Sequence, residues 1–214
     1  MTYPFTFDET TNAQPDDAGL IECPVIPVRG QVVYPGLVTP VILEPGRALD
    51  AAEIAHQEAQ TGIMVAFDGD TVDIPMPDDL YTVGTEAAIG HISDDAPGDS
   101  RSVLVQGRRR VHIVRFTQTL PYLVAQARIL PIGSADDDTD ALVQTMTNLF
   151  QNVADLNEAL PDEVIDHVLN SDDPVWLADF IVASLTVPLE ERQRALDMTD
   201  LNDRLRHAHQ PAHP

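Results

Sequence analysis

The sequence predicts an α+β protein, in which a small β-barrel or sandwiched sheet with one helix is followed by an α-helical bundle. Over residues 19–132, short apolar runs rich in Val and Ile are separated by Gly, Pro and Asp, a pattern typical of strands and turns. Over residues 136–206, apolar side chains recur at spacings of three and four, which is typical of helices. The composition changes between the two parts, since residues 136–214 carry 17 acidic residues against 4 arginines. The polar stretch 131–140 is therefore predicted to be a hinge.

Composition excludes several classes of protein. With 214 residues, 43% of them hydrophobic, the chain can bury one core or two small ones. The single cysteine, Cys23, excludes an internal disulfide and favours a reducing compartment, so we expect a cytoplasmic protein. No apolar run approaches the roughly 18 residues of a membrane span, and the first residues lack the pattern of an export signal. A formal charge of -23 disfavours nucleic acid and anionic membranes as partners.

All 12 basic residues are arginine, so the chain contains no lysine. A P-loop needs the lysine of its G-x-x-x-x-G-K-[ST] motif, and a Ser-Lys dyad needs one for catalysis. The sequence therefore predicts no ATPase, no Ser-Lys protease and no Schiff-base enzyme.

The elements of the first part follow from apolar runs and turn residues. Residues 1–18 are acidic and lack periodicity, so they are predicted to be a flexible tail. The first strand contains Pro24 and Pro27, which predicts an edge strand or a bulge. Pro45 and Gly46 precede a helix predicted over 47–60, with Gly62 as its stop. Gln106-Gly107 is interpreted as a turn between two strands. The predicted strands cover residues 21–28, 38–43, 63–67, 84–93, 102–106, 109–117 and 122–130.

Five helices are predicted in the second part. Leu142, Met146, Leu149, Val153 and Leu156 define one face of a long helix. The second helix begins at Pro161, and the third follows Asp172-Asp173-Pro174, an N-cap with Pro at the first helical position. The fourth begins at Pro188 and the fifth at Thr199-Asp200. Short helices joined by such turns predict a small bundle. Residues 207–214 are polar and are predicted to be a disordered tail.

Five motifs, in order, resemble the N-terminal domain of the Lon protease family. The first is Pro-Val-Ile-Pro-Val-Arg-Gly-Gln-Val-Val-Tyr-Pro-Gly at 24–36, where an apolar strand leads to a Val-Val-x-Pro-Gly turn. Leu-Tyr-Thr-Val-Gly-Thr at 80–85 is similar to the family's step into its next strand. Val-Leu-Val-Gln-Gly-Arg-Arg-Arg at 103–110 resembles a Val-x-Gly-x-x-Arg hairpin. Residues 121–125 fit the following strand, and 172–181 resemble a helical signature. Structural roles are expected within these motifs for Arg29, Gly36, Gly84, Gly107 and Pro174.

The resemblance implies a fold and a role. The fold is a six-stranded, PUA-like β-subdomain with one helix, followed by an α-helical bundle. In Lon this domain recognises unfolded substrates and helps to assemble the hexamer, while later domains hydrolyse ATP and cleave peptides. The chain is then either a piece of a longer Lon protease or a stand-alone LON-domain protein. Its polar ending at 206–214 departs from the long helix of Lon, so we expect the stand-alone form.

Peptide binding requires exposed apolar surface, and two loops carry the candidates. Ordinary packing is the competing interpretation for each of these side chains, since many apolar groups stay partly exposed in any fold. If the candidates form one patch, the Pro35 turn and the 76–81 loop lie close together. The candidate polypeptide-binding residues are Tyr34, Pro35, Leu37, Met76, Leu80 and Tyr81.

Other chemistry is weakly supported. Arg108, Arg109 and Arg110 form the only basic run, and pairing with the surplus acids explains them better than nucleic-acid binding. Residues 68–73 lack the Gly and Glu positions of an EF-hand loop, so a solvated loop is the better interpretation. His56, His91, His112 and His167 show no H-x-x-x-H spacing among them, and a disordered tail that contains His207, His209 and His213 would bind a metal only weakly. We therefore predict no catalytic residue, no metal and no cofactor.

The sequence leaves three hypotheses. The first is a non-catalytic LON-domain protein that binds unfolded or partner polypeptides, as an adaptor or recognition module linked to an ATP-dependent protease. The second is an orphan PUA-like module that binds a small ligand or RNA in a concave polar pocket. The third is a structural oligomerisation module, for which self-association is expected.

Overall fold

The computed structural model contains a β-rich unit and a helical unit. It describes residues 7, 9–69, 72, 74–133, 139–155, 168, 171, 173–184 and 186–209. The chain divides into two compact units, with the division after Leu130. A sheet with one helix precedes several helices, so the predicted α+β class is confirmed.

The β-rich unit is a closed barrel. Its six strands have the order β2-β5-β4-β3-β1-β6, and β5 also pairs with β6, which closes the sheet. One α-helix and a 3₁₀ turn accompany the strands. Their bounds are β1 Leu20–Arg29, β2 Val38–Leu43, α1 Arg47–Gln57, β3 Thr61–Phe67, the 3₁₀ turn Pro77–Asp79, β4 Val83–Ser93, β5 Arg101–Gln118 and β6 Leu123–Ile129.

The two prolines of β1 do not place it at the edge of the sheet. β1 lies between β6 and β3, but it pairs with β6 through Val25 and with β3 only from Val25 onward. Pro24 therefore faces a partner in β6, and Pro27 faces one in β3. A proline has no N–H to donate, and each one lies where this strand is paired on a single side. The predicted edge strand is thus an interior strand that changes partners between its prolines.

Gly107 does not end a strand, because β5 runs without interruption from Arg101 to Gln118. The register of β5 against β4 shifts there, since Glu86 faces Arg109 and Ala87 faces Gly107. Arg108 is the extra residue of a β-bulge, a feature that glycine often accompanies. The predicted turn at Gln106-Gly107 is therefore wrong.

Helix α1 ends earlier than predicted, and Gly62 is not its stop. The helix ends at Gln57, where Ala59 takes the left-handed conformation with φ 51°. Gly62 lies inside β3, where a Cβ atom would meet Cδ1 of Ile26 at 2.7 Å. A glycine at this position thus serves close packing between strands rather than helix termination.

Part of the predicted N-terminal tail is held against the barrel. Phe7 is 8% exposed and lies against Gly90, where a Cβ atom would meet its ring at 2.5 Å. Thr11 forms a β-bridge with Gln60, and the Ala13 N–H donates to a carboxylate oxygen of Glu86 at 2.8 Å. The described residues of the predicted flexible tail therefore differ from the prediction, because backbone groups and the buried Phe7 side chain attach them to the barrel.

The helical unit contains four described helices: α2 Thr139–Asp155, α3 Pro174–Ser184, α4 Leu189–Asp197 and α5 Leu201–His209. Asp173 caps α3, since its Oδ1 accepts the N–H groups of Val175 and Trp176 at 2.9 and 3.1 Å. Trp176 stacks on Phe180 with ring centroids 4.9 Å apart. The helix predicted to begin at Pro161 lies outside the described residues except for Val168. The disordered tail predicted over 207–214 is wrong for residues 207–209, which belong to α5, and residues 210–214 lie outside the described residues. The unit's buried apolar side chains include Met146, Phe150, Leu177, Ile181, Leu201 and Leu205.

Candidate polypeptide-binding groove

A groove of about 420 Å³ opens between β1, the β2–α1 connection, the end of β3 and the loop after it. We call it the barrel groove. It is lined by Pro27, Arg29, residues 42–48, Phe67, Ile74, Pro75 and Leu123. Strand pairing produces it, because β1 and β3 run parallel and end side by side at Arg29 and Phe67.

Exposed apolar side chains surround the barrel groove. Ile42 is 55% exposed and Ile74 is 68% exposed, and both line it. Met76 is 47% exposed, and its sulfur accepts a hydrogen bond from Nη1 of Arg47, a lining residue, at 3.5 Å. Large apolar groups at these exposures are typical of a binding surface when they cluster around a concavity.

Two arginines add positive charge to this groove. Nη1 of Arg29 donates to the carbonyl oxygens of Gly69 at 2.6 Å and Val72 at 3.3 Å, and its guanidinium lies 5.3 Å from the Phe67 ring centroid. Its Nη2 is 3.9 Å from a carboxylate oxygen of Glu44. Arg29 thus connects the end of β1 to the loop after β3, and it holds that wall of the groove in place.

The predicted binding residues divide into three groups. Met76 is exposed beside the barrel groove, and Tyr81 is half-buried against the apolar cluster of β1, β3 and β6. Pro35 and Leu37 are also half-buried, and among the described residues neither lines the groove. The proximity predicted for the Pro35 turn and the 76–81 loop stays a prediction.

Tyr34 and Leu80 are buried, at 1% and 8% exposure, so their predicted exposure is wrong. The backbone of Tyr34 lies on β5, where Gly107 leaves room for its carbonyl oxygen. Leu80 forms a β-bridge with Phe67, which brings it into the apolar cluster of β1, β3 and β6.

The glycines predicted to have structural roles lie where backbone segments approach closely. The amide of Gly36, which has φ 75°, donates to the carbonyl oxygen of Gly107 at 3.0 Å. A Cβ atom at Gly84 would meet the Met64 carbonyl oxygen at 2.5 Å. Pro174 is the first residue of α3.

The sequence did not predict Ile42, Ile74 or Arg47 as binding residues. The segment Ile-Pro-Met-Pro at 74–77 carried a usable signal, since two apolar residues alternate with prolines in an otherwise polar loop. Ile42 gave no such signal. The alternation of side chains along β2 does not reveal that the face carrying Ile42 is exposed.

A second, more polar cavity of about 380 Å³ lies between the N-terminal segment and the barrel. Asp16, Glu22, Cys23 and Thr61 are among its lining residues. Its two carboxylates repel phosphate groups, which disfavours RNA there. Cys23 is buried, and desolvation together with the charge of Glu86 raises the pKa of its thiol to about 12, so the thiol stays protonated.

The basic run is engaged within the barrel. Arg108 donates to the carbonyl oxygen of Phe7 at 3.0 Å, and Arg109 forms an ion pair with Glu86. Arg110 is 4% exposed. In the part of the chain that the structure describes, no three His, Cys, Asp or Glu side chains form a possible metal site. Nor does any described helix have the length and apolar character needed to cross a membrane.

A β-barrel unit followed in the chain by a helical unit is the fold of Lon protease N-terminal domains. The structure is similar to the N-terminal domain of Mycobacterium avium complex Lon protease, with a TM-score of 0.72 and 25% sequence identity, over 87% of this chain and 95% of that one. It has the same fold as a Lon N-terminal domain protein from Xanthomonas campestris, with a TM-score of 0.61, 16% identity, and coverage of 89% and 99% of the two chains.

Similarity in sequence identifies the family. Residues 22–210 match the substrate-binding domain of ATP-dependent protease La (LON), and the chain belongs to that family. It is 33% identical to Lon protease of Escherichia coli K12 over 192 residues, and 31% identical to that of Vibrio parahaemolyticus over 186 residues. These matches cover 89% and 86% of this chain but only 24% of each relative. The similarity extends to no ATPase or protease domain.

Proposed function

We propose that this chain is a non-catalytic LON-domain protein that binds unfolded or partner polypeptides in the barrel groove. In this role it is an adaptor or recognition module for ATP-dependent proteolysis, and its setting is cytoplasmic. The family's description as a substrate-binding domain supports the substrate class. The absence of lysine supports the non-catalytic role, because neither a P-loop nor a Ser-Lys dyad can form within this chain.

The clustering of Ile42, Ile74 and Met76 around the barrel groove carries the proposal. Unfolded chains expose apolar side chains that folded proteins bury, so an apolar concavity distinguishes the two states. The net charge of -23 disfavours unspecific self-association.

The test is binding of a permanently unfolded, fluorescently labelled polypeptide, followed by anisotropy, with the folded form of the same protein as reference. We expect the unfolded form to bind more tightly. Ile74→Ser should weaken its binding about tenfold, because burial of one large aliphatic side chain contributes about 1.5 kcal/mol or more. Val114→Ser is the control, since Val114 is 47% exposed and lies on β5 outside the groove lining.

Two results would contradict the proposal. One is equal binding of the folded and unfolded forms. The other is the same loss of binding in Val114→Ser as in Ile74→Ser, which would mean that general surface hydrophobicity, and not the barrel groove, holds the polypeptide.

A further inference from the structure

We infer that the barrel groove selects apolar segments that contain an acidic side chain, and that Arg47 binds that carboxylate. This inference rests on the proposed function and specifies its substrate class. The expected occupant is an internal segment of an unfolded polypeptide, in which a large apolar residue lies next to Asp or Glu.

Arg47 has no acidic partner among the described residues. It is half-buried, lines the barrel groove, and makes its hydrogen bond to the sulfur of Met76 at 3.5 Å. A thioether is a weak acceptor, whereas a guanidinium offers five donors. Among the described residues, no carboxylate lies within 4.0 Å of Arg47, although the chain has 35 acidic residues against 12 arginines.

Arg29 differs from Arg47 because groups of the same chain already bind its guanidinium. Its donors meet two backbone carbonyls, its flat face lies over Phe67, and Glu44 is 3.9 Å away. It therefore contributes charge without offering a free donor pair. The described lining of the groove contains two arginines and one acidic residue, Glu44, in a chain of charge -23. A carboxylate is the complementary group, and guanidinium binds it through two parallel hydrogen bonds.

The apolar part of the occupant follows from the neighbours of Arg47. Ile74 lines the same groove at 68% exposure, and the Met76 sulfur lies 3.5 Å from Nη1 of Arg47. A ligand that places its carboxylate on Arg47 therefore brings its adjacent residues onto these side chains. A ligand of the barrel groove must therefore carry apolar groups and a carboxylate next to each other.

Side chains, rather than an added strand, provide the recognition. β2 is the edge strand beside the groove, and its centre is Pro40, which has no N–H. The side chain of Gln31 donates to the Pro40 carbonyl oxygen at 3.3 Å, which occupies the acceptor on that side. Proline and a capped carbonyl both block strand addition. The affinity therefore depends on Arg47 and the apolar wall.

The test uses two labelled peptides, acetylated and amidated at their ends, with the same apolar sequence and either Glu or Gln at the centre. We expect the wild-type protein to bind the Glu peptide about tenfold more tightly at low salt, the size of one charge-assisted pair. In Arg47→Gln the two peptides should bind equally, while the Gln peptide keeps its wild-type affinity. Arg47→Lys should keep part of the preference, because it keeps the charge without the planar fork.

Arg115→Gln is the control, since it makes the same charge change at an exposed position on β5 outside the groove lining. It should leave the preference intact. Equal binding of both peptides by the wild type, or an unchanged preference in Arg47→Gln, would overturn this inference and leave the proposed function standing. If neither peptide binds, and the unfolded polypeptide does not bind either, the proposed function fails as well.

Discussion

Nε of Arg109 donates a hydrogen bond to Oε2 of Glu86 at 2.6 Å, and the Glu86 side chain is completely buried. The other carboxylate oxygen accepts from Oγ1 of Thr61 and from the N–H of Ala13, both at 2.8 Å. Nη2 of Arg109 completes the arrangement by donating to the Ala13 carbonyl oxygen at 2.9 Å. One buried ion pair therefore joins β3, β4, β5 and the N-terminal segment.

Replacing Glu86 by Gln should destabilise the barrel by about 3 kcal/mol, because it removes one partner of a buried ion pair. Gln keeps the shape but presents an N–H₂ group to one of the three donors. Urea unfolding gives the free energy, and hydrogen exchange at Ala13 should become faster. Asp17→Asn is the control, since Asp17 is exposed. An unchanged midpoint of unfolding for Glu86→Gln would contradict this prediction.

Replacing Gly107 by Ala should cost about 2 kcal/mol or more, because the new methyl group would overlap the backbone of Tyr34 and Pro35. β5 would have to separate from the Pro35 turn. Thermal unfolding measures the effect. Gly98→Ala serves as comparison: a Cβ atom there meets nothing within 4 Å, so its cost is limited to the strain of φ 66°, about 1 kcal/mol. Equal losses in the two variants would mean that backbone strain, and not overlap, governs Gly107.

These two sites show why the fold was easier to predict than its details. Periodicity and turn residues were sufficient for β2 and for the start of α1, because those signals are local. The turn predicted at Gly107 is wrong because a glycine marks either a turn or a close backbone approach, and only the distant Tyr34 decides between them. The composition of the segment around Ala13 predicts flexibility, because backbone hydrogen bonds to distant side chains leave no trace in that composition.

The candidate site was predictable to a smaller degree. Met76 was recognised from its loop and lies beside the barrel groove. Tyr34 and Leu80 lie in or beside the same kind of loop, yet they are buried, because strands distant in sequence cover them. Arg47 could not be identified, since its role depends on which carboxylates lie nearby, and one sequence does not contain that information.

The buried thiol of Cys23 should make the barrel less stable at alkaline pH. Burial, and then the charge of Glu86, raises its pKa from 9.0 to about 12. The unfolded chain releases this proton above pH 9 whereas the folded chain retains it, so the free energy of unfolding falls as pH rises from about 9 to 12. Urea unfolding of Cys23→Ala and wild type at pH 7, 9, 10 and 11 tests this. The wild type should lose more stability than the variant across that range, and parallel losses would contradict it.

The helix cap at Asp173 should contribute about 1 kcal/mol to the helical unit, because its Oδ1 satisfies two otherwise free N–H groups of α3. Asp173→Ala is expected to lower the free energy of unfolding by that amount, and Asp173→Asn to retain most of it. Circular dichroism with urea gives the values. A loss in Asp173→Asn as large as in Asp173→Ala would show that charge near the helix start, rather than the hydrogen bonds, is the source of the stability.

Met76 and Leu80 lie four residues apart in one loop, but substitution should affect different properties. Met76 is 47% exposed, so Met76→Ser should leave the free energy of unfolding within about 0.5 kcal/mol of the wild type and weaken polypeptide binding several-fold. Leu80 is 8% exposed and packs in the barrel core, so Leu80→Ala should cost about 2 to 5 kcal/mol of stability. Below its unfolding midpoint, Leu80→Ala should still bind polypeptide. Urea unfolding and anisotropy on the same samples separate the two effects. Binding that is lost in folded Leu80→Ala and kept in Met76→Ser would contradict the barrel groove as the binding surface.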